Sequence, residues 1–437
     1  MNVTVGMLSL GCAKNRVDAE YMLGLLDAEG FDIVQDPEDA QVVIVNTCGF
    51  ITSAKEESIS AILDMAELKK DGRCRALIVT GCLSQRYAQD MEADLPEVDA
   101  FVGIGHIEEV PSIIRQVLEG KRVIDNSGTY KFPNAKRILT TVPRYAYLKV
   151  ADGCDNRCAY CAIPGIRGGF VSRPFDEVIE EAKRLVELGY NEIIPIAQDT
   201  TRYGMDIYGK PRLIELLDAL SDIEGVKWIR PLYLYPDFIS PQLIDAIHDM
   251  DKVCNYFDLP IQHINDEVLR NMNRRGDGKL IRDIHSMARK KGDMALRTTL
   301  ICGFPGETAE QFKELYDFIE EYQWDRLGAF AFSQEEGTKA AEMEGQIKES
   351  LKKSRVSRIM SRQRAISKSL LEKRVGSVCE VVIEGMDQRG FFGRSVFEAP
   401  DVDGCIYVKS DTDLQIGQYV NAKITGAMDY DLMADKV

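Results

Sequence analysis

Three cysteines fall within eight residues in Gly153-Cys154-Asp155-Asn156-Arg157-Cys158-Ala159-Tyr160-Cys161, the stretch of this chain whose residue types carry the most specific chemistry. Thiolates are soft ligands that favour iron-sulfur clusters or zinc. A CxxxCxxC spacing lets one loop approach a compact centre from three directions. A structural zinc site wants a fourth ligand, yet the nearest other candidates, Cys82, Cys254, His106 and His248, are remote in sequence. A cubane held by three cysteines instead keeps one iron open to a chelating small molecule, which makes the motif catalytic. Spacing alone leaves a zinc knuckle or three buried cysteines as the competing readings.

A second set is scattered. Cys12, Cys48 and Cys82 each follow an apolar run, at residues 3–10, 42–45 and 76–80, and each stands beside a glycine (Gly11, Gly49, Gly81). Helical stretches at 15–29 and 55–69 separate the runs. Strands joined by crossovers of this length imply a parallel sheet, and the C-terminal ends of its strands line one edge, where ligands bind. Cysteines far apart in sequence can therefore converge there. Cys74 precedes its strand, which places it at the opposite edge and excludes it. On spacing alone ordinary core cysteines are the better reading of the trio.

The positioning elements suggest an α/β protein in several parts. An N-terminal parallel α/β domain spans 1–127, and a linker over 128–143 carries the turn residues Ser127-Gly128, Pro133-Asn134 and Pro143. Strand-like runs follow at 145–150, 192–197, 228–234, 256–259, 295–301 and 326–332, with helices between them such as 175–188. Six such units predict a partial (β/α)6 barrel over 144–340, with its active site at the C-terminal face. The Cys154 loop follows the first of these strands. Gln198-Asp199, Gln262-His263 and Gly303-Phe304-Pro305-Gly306-Glu307 follow later ones, so Gln198, Gly303 and Gly306 are candidate cofactor contacts, with a turn glycine or a satisfied polar group as the plainer reading. His106, His248 and His285 read as surface or interface histidines. A connecting helix over 341–374 carries ten basic residues from Lys348 to Arg374. Its apolar side is expected at Ile347, Leu351, Ile359 and Leu370, with the bases on a solvated face or against nucleic acid. Short runs at 378–383, 391–397, 406–409 and 419–424 predict a small antiparallel β-barrel over 375–437.

At 437 residues and a formal net charge of −16, the chain lacks the overall basic balance of a protein that grips phosphate backbones. In the last module acids outnumber the bases Arg389, Arg394, Lys409, Lys423 and Lys436. Eleven cysteines, an odd number spread over a long chain, argue for thiolate ligands in a reducing compartment. No apolar run approaches 18 residues and no signal peptide is evident, so a cytoplasmic location without a membrane partner is expected.

The CxxxCxxC loop with Tyr160 before its last cysteine resembles the signature of radical S-adenosylmethionine (SAM) enzymes. The whole chain is similar to the methylthiotransferase family among them. The likeness runs from Leu8-Ser9-Leu10-Gly11-Cys12-Ala13-Lys14-Asn15-Arg16-Val17-Asp18 through Ala197-Gln198-Asp199-Thr200-Thr201, Leu232-Tyr233-Leu234-Tyr235-Pro236, Leu259-Pro260-Ile261-Gln262-His263 and Gly303-Phe304-Pro305-Gly306-Glu307 to Tyr430-Asp431-Leu432. Ala13 stands where the family pattern leads us to expect proline. The resemblance implies two [4Fe–4S] clusters, one on Cys154, Cys158 and Cys161 and one on Cys12, Cys48 and Cys82, together with SAM packed on Tyr160. It also implies a C-terminal TRAM domain and a low-potential electron donor. Within the family the likeness points to methylthiolation of the β-carbon of an aspartate in small-subunit ribosomal protein twelve, free or in the assembled ribosome. The sibling activity on a tRNA adenosine needs the same clusters and would call for a basic C-terminal module.

Overall fold

The computed structural model describes residues 3–70 and 72–437; Met1, Asn2 and Asp71 of the expected first domain lie outside them. Two compact units arise, and neither is continuous in sequence. The first combines Met1–Thr140 with Ala151–Val171 and Ser333–Ala341, and the second holds Thr141–Val150, Ser172–Phe332 and Glu342–Val437.

In the first unit the order is β1 (Thr4–Ser9), α1 (Ala13–Ala28), β2 (Asp32–Val34), β3 (Val42–Thr47), α2 (Thr52–Lys70), β4 (Ala76–Gly81), α3 (Cys82–Asp94), β5 (Ala100–Val102), α4 (Val110–Leu118) and β6 (Val123–Asp125). The strands pair in parallel in the order β2-β1-β3-β4-β5-β6. Every residue of β3 and β4 is buried, as expected of central strands covered on both faces. The three long strands are those expected from sequence. β2, β5 and β6 have three residues each, too few to leave a periodic signal. Residues 128–143 form no regular element, yet they are fixed to α1. Buried Glu20 accepts from the Thr140 amide (2.8 Å) and hydroxyl (3.0 Å) and pairs with Arg137 at 3.3 Å.

β7 (Tyr145–Lys149) opens the second unit, after which the chain returns to the first for β8 (Ala151–Asp152), the cysteine loop and α5 (Ile163–Arg167), ending at β9 (Val171–Ser172). The second unit continues with α6 (Phe175–Glu187), β10 (Glu192–Ile196), α7 (Met205–Tyr208), α8 (Leu213–Ser221), β11 (Trp228–Ile229), α9 (Pro241–Asp249), β12 (Tyr256–Asp258), α10 (Asp266–Asn271), α11 (Gly278–Lys290), β13 (Ala295–Cys302), α12 (Ala309–Glu321) and β14 (Arg326–Ala331). Two parallel half-sheets, β11-β10-β7 and β12-β13-β14, are joined through a bridge between Ile229 and Val253. Together they form the expected arc of six parallel strands. β11 is much shorter than the run expected over 228–234. Pro231 has no N–H to give a ladder, and Tyr233 takes φ +63°.

α13 (Glu349–Glu372) turns a different face inward from the one the sequence suggested. Leu351 is 46% exposed, whereas Lys352, Arg355, Ile359, Gln363, Ile366 and Leu371 are buried. Their spacing is still that of one helical stripe, so two bases of the expected solvated face lie inside. His285 is also buried, edge-on to Tyr322 and Trp324, and burial together with the charge of Arg289 pushes it down to about 4. It is a core residue, and its burial corrects the expected surface position.

The chain ends in a closed barrel, β15 (Val378–Asp387), β16 (Gly390–Arg394), β17 (Ile406–Lys409), β18 (Tyr419–Ala427) and β19 (Leu432–Lys436), ordered β15-β16-β17-β19-β18. All pairs are antiparallel except β17 with β19. β19, a strand absent from the sequence reading, closes the ring around Val381, Ile383, Ile406, Ile424 and Leu432.

Candidate active site

The register of the N-terminal sheet gathers its scattered cysteines. Ser9 lies opposite Asn46, and Asn46 opposite Thr80. Cys12, Cys48 and Cys82 thus leave neighbouring strands at the same level of the same edge. Each also stands at or just before a helix: Cys12 is the N-cap of α1, Cys48 precedes α2, and Cys82 opens α3. The neighbouring glycines explain how the turns close. A methyl on Gly11, at φ +89°, would lie 2.8 Å from Cys48 Cβ, and one on Gly81, at φ +92°, 2.5 Å from the Thr47 carbonyl oxygen. Asn15 donates to the Leu10 and Thr47 carbonyls (2.7 and 3.2 Å), while Asn46 donates to the Asn15 carbonyl (2.8 Å). The turns after β1 and β3 are therefore cross-linked, and the Thr47 hydroxyl donates onward to the Thr80 carbonyl of β4. Ser58 exchanges hydrogen bonds with the backbone N–H and carbonyl of Cys48 at 3.0 and 2.9 Å.

Electrostatics differ across the trio. Burial pushes Cys48 up to about 12, helped by the nearby Cys82 and Cys12 thiols. Burial also raises Cys82, against the opposing charge of Arg167. Cys12 retains solvent-exposed surface. Burial opposes its ionisation too, but the charges of Lys14 and Arg167 and the N–H groups of the first turn of α1 hold it below its ordinary range. This is the effect expected for a thiol at a helix N-terminus beside cations. Among the described residues no three Cys, His, Asp or Glu side chains gather around one point closely enough to hold a single metal ion.

The second trio lies in the same compact unit. Cys154, Cys158 and Cys161 are half-buried. Their loop is closed at its base by hydrogen bonds from the Cys154 amide to the Gly168 carbonyl (3.1 Å) and from the Cys161 amide to the Cys158 carbonyl (3.0 Å). Gly153, at φ +72°, permits this closure, since a methyl there would lie 2.0 Å from the Gly169 carbonyl oxygen. Tyr160, half-buried, belongs to this loop.

Two groups in the first unit escaped the sequence reading. Arg167, at the end of α5, is buried and donates to Asp152 at 2.7 Å, Asp18 at 2.9 Å and Asn15 Oδ1 at 3.4 Å. Its only sequence signal is an arginine directly before Gly168-Gly169. The other is the returning strip of residues 333–341. Glu335, buried, accepts from the Thr52 amide at the start of α2 (2.7 Å) and from Lys55 Nζ (2.8 Å), and the Ala340 amide donates to the Ala159 carbonyl inside the cysteine loop (2.7 Å).

In the second unit Gln198 follows β10, and Gly303 and Gly306 follow β13, at the ends of strands as expected. Gly303 has a local reason to be glycine: at φ +79°, a methyl would stand 2.5 Å from Lys352 Cγ. Glu307 clamps the same turn, accepting from the Gly303 and Phe304 amides (2.5 and 3.2 Å) and pairing with Arg355 of α13 at 2.8 Å. His263 is fully buried. Its Nδ1 accepts from the Asn265 amide at 3.0 Å, and burial, with the charge of Arg355, pushes it down to about 3, so the ring is neutral.

Comparison with known proteins accounts for each part of the chain. Residues 4–103 match an uncharacterized protein family, UPF0004, residues 148–319 the radical SAM superfamily, and residues 375–437 the TRAM domain. The structure of the radical SAM methyltransferase TsrM from Kitasatospora setae overlaps 76% of this chain and 75% of its own, with a TM-score of 0.53 at 13% identity, a likeness of fold. The six-stranded arc and the CxxxCxxC loop thus define a radical SAM enzyme, a class that uses a [4Fe–4S] cluster and SAM.

Proteins named ribosomal protein uS12 methylthiotransferase RimO resemble the chain over their whole length. That of Alkaliphilus oremlandii is 46% identical over 99% of both chains, that of Desulforamulus reducens 48% over 99% of both, and that of Clostridioides difficile 45% over 99% of this chain and 98% of its own. The chain belongs to this family of radical SAM methylthiotransferases. No helix among the described residues is long and apolar enough to cross a membrane.

Proposed function

We propose that this enzyme places a methylthio group on the β-carbon of an aspartate in ribosomal protein uS12, with Cys154, Cys158 and Cys161 holding the cluster that binds SAM and Cys12, Cys48 and Cys82 holding a second. The observation that carries the reading is the presence of both trios in one compact unit, the first on a glycine-lined loop and the second on a single sheet edge. The donor sets fit these groups. A cubane spreads its thiolates over separate corners, and in each set the three cysteines come from one loop or from one edge of one sheet. When bound, one cluster supplies the electron that cleaves SAM and the other presents the sulfur to be transferred and methylated.

The chain's own residues bind, orient and shield. Gly153 and Gly168 shape the loop, Asn15, Asn46 and the Thr47 hydroxyl tie the three sheet-edge turns together, and Arg167 supplies buried positive charge in the same unit. Tyr160, Gln198, Gly303 and Gly306 are proposed contacts of SAM. Holding the reactive carbon and its sulfur source together, away from water and stray hydrogen donors, is the physical demand that such a site answers. A low-potential electron donor completes the partners, and the substrate is met in the cytoplasm, free or on the ribosome. The tRNA alternative is not favoured, because the relatives above are named for uS12 and the last module is acidic.

The test is an anaerobic assay of reconstituted protein with SAM, reductant and a uS12 peptide, read by mass spectrometry. A methylthio gain on the aspartate is expected. Modification of an adenosine-containing tRNA with none on the peptide would overturn the substrate assignment.

A further inference from the structure

We infer that Arg167 is a positioning residue for the Cys12, Cys48 and Cys82 site, supplied by the segment that carries the other trio; this rests on the reading of those three cysteines as cluster ligands. Arg167 lies on α5, directly downstream of Cys161, and its side chain is 1% exposed. One nitrogen of its guanidinium meets Asp152 at 2.7 Å, and another meets Asp18 of α1 at 2.9 Å. The same group donates to Asn15 Oδ1 at 3.4 Å, and the Asn15 side-chain amide in turn donates to the Leu10 and Thr47 carbonyls of the cysteine-bearing turns. Ala162 and Ile166 pack directly on Cys82, so the placement of α5 fixes where that charge stands.

The arrangement follows from charge. Two buried carboxylates, Asp18 and Asp152, beside the three proposed ligands demand a cation, and an uncompensated buried charge is costly. A lysine is a point charge, whereas the planar fork of arginine bonds several acceptors at fixed angles. Arg167 therefore joins Asn15 and Asp18, on the helix that Cys12 caps, to Asp152 at the base of the other cysteine loop. The N-terminal cysteine site is thus composite, completed by a residue from the radical SAM segment.

The experiment uses the full chain with Cys154, Cys158 and Cys161 changed to alanine, so that only the N-terminal site takes up iron and sulfide. Iron content and the midpoint potential, followed by electron paramagnetic resonance, are compared with and without R167M. The expected result is at least a twofold loss of bound iron, and a more negative potential in what remains, because loss of a nearby cation disfavours the added electron. Full iron with an unchanged potential overturns the inference. If R167M does not fold, R167K decides. It keeps the charge and loses the fork, so iron release to a chelator should quicken severalfold; release at the unaltered rate overturns the inference. Absence of iron from the triple-alanine chain with Arg167 intact would sink the reading of the trio, and the inference with it.

Discussion

Cys48 and Cys158 belong to different trios, so removing each should silence a different half of the reaction. Cys158→Ala is expected to abolish 5′-deoxyadenosine formation while iron remains at the N-terminal site. Cys48→Ala should leave SAM cleavage in place and stop sulfur insertion, as read by mass spectrometry; full methylthio product from Cys48→Ala would contradict the role given to its trio. A third residue answers to pH. Glu398 is buried against Arg374 (2.6 Å) and Arg326 (3.1 Å) and accepts from the Ser395 hydroxyl at 2.6 Å. Burial raises it, but the two arginines prevail and hold its carboxyl down at about 2. Its folded value lies below its unfolded one, so its contribution is present above about pH 4.3 and disappears as pH falls towards 2. Glu398→Gln should lower stability by about 3 kcal/mol at neutral pH and flatten the acid limb of a thermal-melting series. At this scale the sequence was legible where chemistry is local. The cysteines and their glycines announce themselves by type and spacing. Arg167 does not, because its partner Asp18 lies 149 residues away and nothing in a linear reading pairs them.

At the scale of elements, the turns after β1 and β4 work because their glycines have no side chain. Gly81→Ala puts a methyl into the Thr47 backbone at a φ that L-residues avoid. It should cost about 2 kcal/mol and reduce iron retained at the N-terminal site, measured by melting and metal analysis; wild-type values for both would remove the glycine from the account of the site. Long strands with apolar runs were read correctly because their signal exceeds local noise. The three-residue strands β2, β5 and β6 form only because the sheet beside them offers hydrogen bonds, and that is tertiary information. The inward face of α13 was misread for a related reason. Buried Lys352 and Arg355 look like surface residues until the Phe332 carbonyl and Glu307 are seen to receive them.

The C-terminal module looks detachable in sequence, and within the second unit it is not. Glu192 on β10 pairs with Arg230 at 2.8 Å and with Arg394 of β16 at 2.9 Å, all three buried, while Glu398 reaches back to Arg326 on β14. Removing residues 375–437 would take Arg394 from Glu192 and Glu398 from Arg326 and would uncover the surface that the barrel packs against. The truncated chain should melt at least several degrees lower or aggregate. A TRAM-deleted chain that melts like the full one would show these pairs to be dispensable.

The strip at residues 333–341 gives the molecule a clock. A nascent chain that has emerged only to residue 332 already displays all six proposed ligands, but neither Glu335 on the start of α2 nor Ala340 on the cysteine loop is yet in place. The piece of the first unit that ties down the start of α2 and the cysteine loop is therefore translated last, about 170 residues after Cys161, the last proposed ligand. On the proposed reading of the two trios, iron offered to a chain stopped at residue 332 should be lost to a chelator faster than iron offered to the full chain.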